Sequence, residues 1–242
     1  LPLQSWLLKR ADAIVGTTED YIKQSPYLEQ VRHKTVCVPI GISPIKPDEA
    51  GAAKIRAQYP GKKIVFFLGR LIAYKGVEHL VAAAAQLPDN YVVLIGGEGA
   101  LEEVLKQQIA KLGLGEKVKM CGRIPDADVP AYYTACDLLC LPSVMQTEAF
   151  GIVQIEAMSL GKPVVATRIP GSGTAWVNAH KESGLNVKVR DSEALARAIK
   201  EITEDPVKYA GYCAGAKNRF NRLFKLDSMI TGCENIYRSL LK

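Results

Sequence analysis

The sequence predicts a doubly wound α/β domain, on three observations. Short, continuous apolar runs end again and again in a Gly or polar loop and are followed by helical patterning. The runs do not alternate with polar residues, as strands with one wet face would, so they belong to a parallel sheet covered on both sides. The composition is that of a globular protein: 242 residues, 48% hydrophobic and 23% charged, which excludes disordered, collagenous and coiled-coil classes. This length accommodates one large domain, or one of common size with part of another.

Taken in order, Trp6 to Asp12 reads as a helix, Ala13 to Gly16 as a short strand, Thr17-Thr18-Glu19-Asp20 as a helix start and Thr35 to Ile40 as a second strand. The segment from Pro39 to Pro47 is dense in Pro and Gly and reads as an interdomain linker. Two strands are too few for a core of their own, so residues 1–40 are expected to be the trailing elements of an otherwise absent domain. Residues 41–242 are expected to form the complete one. There the strand Ile64–Leu68 precedes a helix from Val77 to Leu87, and Tyr91–Ile95 precedes one from Leu101 to Leu112. Val118–Cys121 precedes Val129–Ala135, and Leu138–Leu141 precedes Ile152–Leu160. The runs Pro163–Thr167 and Gly184–Val187 follow, then helices over Glu193–Ile202, Pro206–Leu223 and Leu226–Leu241. Right-handed crossovers connect such strands.

Charge and cysteine content narrow the function. The net charge of +6 comes from Lys and Arg spread along the chain, and aromatic residues are only 7%, so a nucleic-acid stripe is excluded while a phosphate ligand stays open. The cysteines, Cys37, Cys121, Cys136, Cys140, Cys213 and Cys233, show no Cys-x-x-Cys pair or zinc-ligand spacing with His and read as reduced thiols of a cytosolic protein. Leu1-Pro2-Leu3-Gln4 lacks an initiator Met, a basic stretch and a long apolar run, so no signal peptide or membrane span is expected, and the chain reads as cut from a longer one.

In an open parallel sheet, ligands bind at the carboxyl ends of the strands. The first loop there is Gly69-Arg70-Leu71-Ile72-Ala73-Tyr74-Lys75-Gly76. Arg70 and Lys75 suit a diphosphate, one as a fork and one as a point charge; the alternative is two solvated surface cations. The second loop, Gly96-Gly97-Glu98-Gly99, lacks the dinucleotide spacing, and its glycines either admit a ligand closely or make a turn. The run from Pro142 to Met158 is the most informative. A helix beginning near Gly151 would leave the amides of Phe150, Gly151, Ile152 and Val153 free at its positive end. Glu156 follows one turn in, on an otherwise apolar helix where a carboxylate needs a partner. Eight residues of helix would hold Glu148 and Glu156 about 12 Å apart. Glycosidase carboxylate pairs need roughly 5–9.5 Å, so two separate binding roles fit better. The structural alternative makes Glu156 a salt-bridge partner and Glu148 a cap.

Together these segments resemble the donor-binding half of retaining GT-B glycosyltransferases of family four, from about residue 10 to 240. The motifs are Glu148-x7-Glu156, Gly161-Lys162-Pro163-Val164-Val165-Ala166, Gly69-Arg70-Leu71 with Tyr74-Lys75-Gly76, Gly122-Arg123-Ile124-Pro125, and Val38-Pro39-Ile40-Gly41. The resemblance implies a UDP- or GDP-sugar donor, with no cofactor, divalent metal or protein nucleophile. Glu156 would bind the ribose hydroxyls, Arg70 and Lys75 the diphosphate, and Glu148 the sugar. The amides of Phe150, Gly151, Ile152 and Val153 would lie against sugar and phosphate, backbone at Arg123 and Ile124 would read the base, and Gly69 and Gly97 would sit in the loops lining the donor. Cations and helix amides on the departing diphosphate would supply most of the stabilisation.

The same resemblance implies a first domain that binds the acceptor and often supplies a catalytic His. His33, His79 and His180 fall outside the matching motifs and read as structural or surface residues. The last helix would pack toward that first domain, and the chain alone would bind nucleotide with little transferase activity. Gly171-Ser172-Gly173-Thr174-Ala175-Trp176-Val177-Asn178 looks like versions in bacterial surface-polysaccharide transferases. Their acceptors are lipid-linked glycans, which implies a cytoplasmic enzyme at the inner face of the membrane. A sugar-nucleotide epimerase of the same fold and a non-catalytic nucleotide-binding module are the alternative functions.

Overall fold

A six-stranded parallel sheet with helices on both faces forms the body of the protein in a computed structural model describing residues 2–241. The chain starts with α1 (Pro2–Arg10), β1 (Ile14–Gly16) and α2 (Glu19–Gln24). A 3₁₀ turn over Glu29–Lys34 leads into β2 (Thr35–Cys37), which pairs with β1 in parallel, Val15 opposite Val36. An irregular run crosses to α3 (Glu49–Ala57). The strand–helix alternation then sets in with β3 (Lys63–Leu68), α4 (Val77–Ala84), β4 (Tyr91–Gly96), α5 (Glu102–Lys111), β5 (Val118–Gly122) and α6 (Val129–Ala135). It continues through β6 (Leu138–Leu141), α7 (Ile152–Ser159), β7 (Val164–Arg168), α8 (Thr174–Val177) and β8 (Gly184–Lys188). The helices α9 (Ser192–Thr203), α10 (Pro206–Leu223) and α11 (Leu226–Leu240) complete the chain.

The strand order is β5-β4-β3-β6-β7-β8. Succession runs outward from β3 in one direction and from β6 in the other, so the order reverses between these two strands, where the carboxyl ends open a crevice. All six residues of β4 are buried, which is why it reads as an unbroken apolar run. On one face Val65, Phe67, Val93 and Ile95 pack against Leu80, Leu105, Leu195 and Ile199 of α4, α5 and α9. On the other, Ile64, Phe66, Leu94 and Leu139 pack against Ile55, Tyr133, Ile155 and Phe220 of α3, α6, α7 and α10. A fully buried side chain of this size stabilises by about 1.5–3 kcal/mol, so the two layers hold the sheet rigid beneath its loops.

Several boundaries differ from expectation. The first helix runs Pro2–Arg10 instead of Trp6 to Asp12 because Pro is well suited to a first helical position, where its missing N–H costs nothing. The second strand stops at Cys37; the Val38 amide still bonds to the Gly16 carbonyl at 3.0 Å, but Pro39 has no N–H to continue. Regular α-helix in α4 ends at Ala84, and Gln86 and Leu87 bond three residues back in a tightened last turn. Helix α3 was absent from the expected elements: only Ala52 and Ile55 of it are buried, too few to make a pattern. Its start is set by the Asp48 carboxylate, which accepts from the Gly51 amide at 2.9 Å.

The linker and the α10–α11 junction are joined. The Ile42 amide donates to the Phe224 carbonyl at 2.9 Å and the Leu226 amide donates back to the Ile42 carbonyl at 3.0 Å. From there α11 lies along residues 38–41, with Met229 Sδ accepting from the Gly41 amide and Gly232 against Val38. Residues 1–40 also reach the loop after β7, where the Gly171 amide donates to Gln24 Oε1 at 3.0 Å. Among the described residues, no helix is long and apolar enough to cross a membrane.

Candidate functional site

The loops after β3, β4 and β5 are laced together by backbone. The Gly69 amide donates to the Gly96 carbonyl at 3.0 Å, Leu71 to Glu98 at 2.8 Å and Gly97 to Gly122 at 2.7 Å. Gly97 sits at φ +128°, and a Cβ there would stand 1.9 Å from the Gly69 carbonyl oxygen. At Gly97 the need for glycine comes from neither a ligand nor a plain turn but from the neighbouring loop's backbone, which packs where a side chain would stand. With Leu71 wholly buried, this lacing fixes the root of the loop that carries Arg70 and Lys75.

The loop after β6 locks onto the same place. The Val144 amide donates to the Tyr74 carbonyl at 2.8 Å, and Lys75 Nζ meets Glu148 Oε2 at 2.6 Å. Ser143 Oγ donates to the same oxygen at 2.8 Å, while Thr167 Oγ1 donates to the Ser143 carbonyl and Ser172 Oγ to the Glu148 carbonyl. Glu148 is only 7% exposed, so its charge is held by one cation and one hydroxyl in a nearly dry setting. The two predicted cations are therefore unequal. Lys75 is committed to Glu148, whereas Arg70 is exposed, its Nη2 3.5 Å from the Tyr74 hydroxyl.

Gly151, at φ +76°, caps α7, and the helix begins at Ile152. The stretch from Glu148 to Glu156 is thus not continuous helix, and the separation of about 12 Å expected for one does not apply. Glu148 precedes the cap residue instead of being it. Among the described residues, the amides of Phe150, Gly151, Ile152 and Val153 have no acceptor, as the helix start predicts. Phe150 presents backbone only, because its ring is buried edge-on to Phe224 at 6.0 Å. Ile152 is 45% exposed, and Val153 is half-buried.

Glu156 finds a neutral partner instead of a salt bridge. Its Oε2 accepts from the Tyr133 hydroxyl at 2.6 Å, and the residue stays half-buried. Burial first, and the Glu156 carboxylate second, push the Tyr133 phenol well above its ordinary range. In the loop after β5, Arg123 is exposed and Ile124 buried against Gly96; among the described residues their backbone groups make no hydrogen bond. Among the described residues, no group of three or more His, Cys, Asp or Glu is placed to hold a metal ion.

The sheet therefore brings Arg70, Lys75, Glu148 and the free amides ahead of α7 to the loops above β3 and β6, with Glu156 one turn inside α7. Tyr133, Ser143, Thr167 and Ser172 were missed by sequence reasoning. Tyr133 has the spacing of a core residue, and the hydroxyl residues carry no pattern that separates them from ordinary loop Ser and Thr.

Comparison with known proteins points one way. The family model described as glycosyl transferases group 1 matches residues 51–219. The O-antigen chain mannosyltransferase C of Escherichia coli is 31% identical over 243 residues, covering 100% of this chain and 64% of the relative. D-rhamnosyltransferase WbpZ of Pseudomonas aeruginosa is 33% identical, covering 92% of this chain and 58% of the relative. Among solved structures, Anabaena HepE in complex with UDP superposes with a TM-score of 0.82 at 27% identity, over 95% of this chain and 64% of that one. The chain thus spans about three-fifths of the length of these relatives.

Proposed function

The chain belongs to the glycosyl transferases group 1 family, and from that premise we propose that residues 41–242 hold the sugar-nucleotide donor of a retaining glycosyltransferase. The observation that carries this reading is the convergence of Arg70, Lys75, Glu148 and four unpaired amides on one crevice, with Glu156 set one turn further along. The diphosphate of a UDP- or GDP-sugar lies between Arg70, Lys75 and the amides of Phe150 to Val153, where cations and the helix dipole stabilise its charge. Glu156 accepts from the ribose hydroxyls and Glu148 from hydroxyls of the sugar. Backbone at Arg123 and Ile124 reads the base, and Gly69 and Gly97 keep the loops beneath the donor close. As the glycosidic bond breaks, negative charge grows on the leaving diphosphate, so preorganised donors there lower the barrier. The acceptor hydroxyl attacks the face that the diphosphate leaves, its proton passing to the departing diphosphate oxygen as the C1–O bond breaks, and no metal, cofactor or protein nucleophile takes part.

The whole protein acts on a lipid-linked glycan at the cytoplasmic face of the membrane, the acceptor held mainly by a first domain to which residues 1–40 belong. Support comes from relatives such as the O-antigen mannosyltransferase and the lipopolysaccharide core biosynthesis mannosyltransferase LpsB of Rhizobium meliloti. The exposed Leu3, Trp6, Leu7, Val15 and Val36 also fit a surface that a further layer covers.

Calorimetric titration with UDP and GDP tests the donor site. Arg70→Ala and Glu156→Ala should each weaken binding by on the order of 1–3 kcal/mol, the worth of a charge-assisted hydrogen bond. Unchanged affinity in both variants would sink the assignment. Conversion of a free sugar nucleotide without acceptor would instead indicate an epimerase.

A further inference from the structure

Tyr133 makes a contact that the donor reading leaves unused. Its side chain is wholly buried, edge-on to Phe66 with ring centroids 5.4 Å apart and planes at 83°, so the phenol is anchored in the core above β3. Only its hydroxyl leaves that setting, to donate to Glu156 Oε2 at 2.6 Å. Glu156 lies on the neighbouring helix and is half-buried, and among the described residues its carboxylate has no other hydrogen bond or ion pair. A Glu side chain with one end in solvent turns freely about its last bonds. A carboxylate that accepts two hydroxyls of one ribose must hold a fixed plane, and one immobile donor on one oxygen sets it.

We propose that Tyr133 is the positioning residue for nucleotide recognition, clamping Glu156 Oε2 so that Oε1 and the remaining lone pair of Oε2 face the ribose diol. The inference rests on the reading of Glu156 as the ribose ligand. The choice of side chain fits the task. A phenol has a single donor and no charge, so it orients the carboxylate and leaves its negative charge for the ligand, where Lys or Arg would cancel it. Burial and the carboxylate itself both hold the proton on Tyr133, so it remains a donor at physiological pH. The ordinary alternative, a core tyrosine whose hydroxyl merely needs an acceptor, predicts that its loss affects all ligands alike.

The test compares UDP and GDP with their 2′,3′-dideoxy forms by calorimetry. Tyr133→Phe keeps the ring against Phe66, and the carboxylate it releases is open to water, so the fold should survive. It should weaken binding of the ribonucleotide about 10–150-fold, the range expected for one hydrogen bond to a charged group, and leave the dideoxy form nearly unchanged. In a Glu156→Ala background the same change should do nothing further, because it acts only through that carboxylate. Equal weakening of both nucleotide forms, or an added loss in the Glu156→Ala background, would overturn the proposal in favour of a structural role. If Glu156→Ala loses the ribose preference and Tyr133→Phe keeps it, the positioning role falls while the donor reading stands. If Glu156→Ala keeps the preference, the ribose reading itself falls and takes this inference with it.

Discussion

Lys75 and Glu148, 73 residues apart in sequence, meet at 2.6 Å with side chains only 11% and 9% exposed. This contact joins the loop after β3 to the loop after β6 across the point where the strand order reverses.

Breaking it from one side should therefore be costly. Lys75→Met leaves a nearly dry carboxylate with Ser143 alone, and the loss of one partner of a buried pair costs about 3 kcal/mol or more. The double variant Lys75→Met/Glu148→Leu removes both charges and should cost clearly less than the sum of the single changes. Urea unfolding of the four proteins measures this, and additive losses would show that the pair contributes no coupling.

Gly97→Ala should be damaging out of proportion to its size. The new methyl group would stand 1.9 Å from the Gly69 carbonyl, backbone that cannot turn aside, and φ at +128° is strained for any L side chain. We expect a loss of at least about 2 kcal/mol and weaker nucleotide binding as the Arg70 loop shifts. A melting temperature within a degree of the parent would contradict the lacing of these loops.

Low pH should weaken the fold through His180. The residue is exposed, but its Nδ1 accepts from the Asn186 amide at 3.0 Å. Partial burial of the ring, then Arg168 and Lys181, hold His180 below the ordinary imidazole range, against a smaller opposing pull from Glu201. Above about pH 6.5 the ring is neutral in folded and unfolded chains alike, and no penalty exists. As pH falls below that value the unfolded chain takes up a proton that the folded one resists, so stability declines until the folded pKa is passed. Exposure keeps the effect under about 1 kcal/mol. His180→Gln should reduce the change in urea midpoint between pH 7.5 and 5.5; an identical change in both proteins would rule the residue out.

Much of this architecture was legible before the structure, and the reason is burial. Strands wrapped on both faces, such as Tyr91–Gly96, have no polar residue to blur them, and long helices with Asp caps, such as Ser192–Thr203 after Asp191, announce their own starts. Helix α3 was hidden because two buried residues do not make a period. At the site, Arg70, Lys75, Glu148 and Glu156 could be named from their loops and the free amides from the helix start. Their partners could not. The Lys75–Glu148 pair depends on two loops meeting in space, and Tyr133–Glu156 on the packing of α6 beside α7, neither of which leaves a mark in local sequence. Gly151 heads α7 where expected, so Glu148 lies in the loop before it and helical rise does not set the spacing of the two glutamates.

The reciprocal backbone bonds of Ile42 with Phe224 and Leu226 mean that the polypeptide passes between residues 1–40 and the large sheet at two strands of chain sewn side by side. A single crossing is a swivel, free to twist in any direction. A doubled crossing resists twist, so residues 38–41 and α11 are tied to one another, with Met229 and Gly232 lying against Gly41 and Val38. Ahead of that tie, Gln24 holds the Gly171 amide, in the loop next to Ser172, whose hydroxyl donates to the Glu148 carbonyl. The doubled crossing and the Gln24 contact thus fix the first 40 residues to the same loops that support the Glu148 carboxylate.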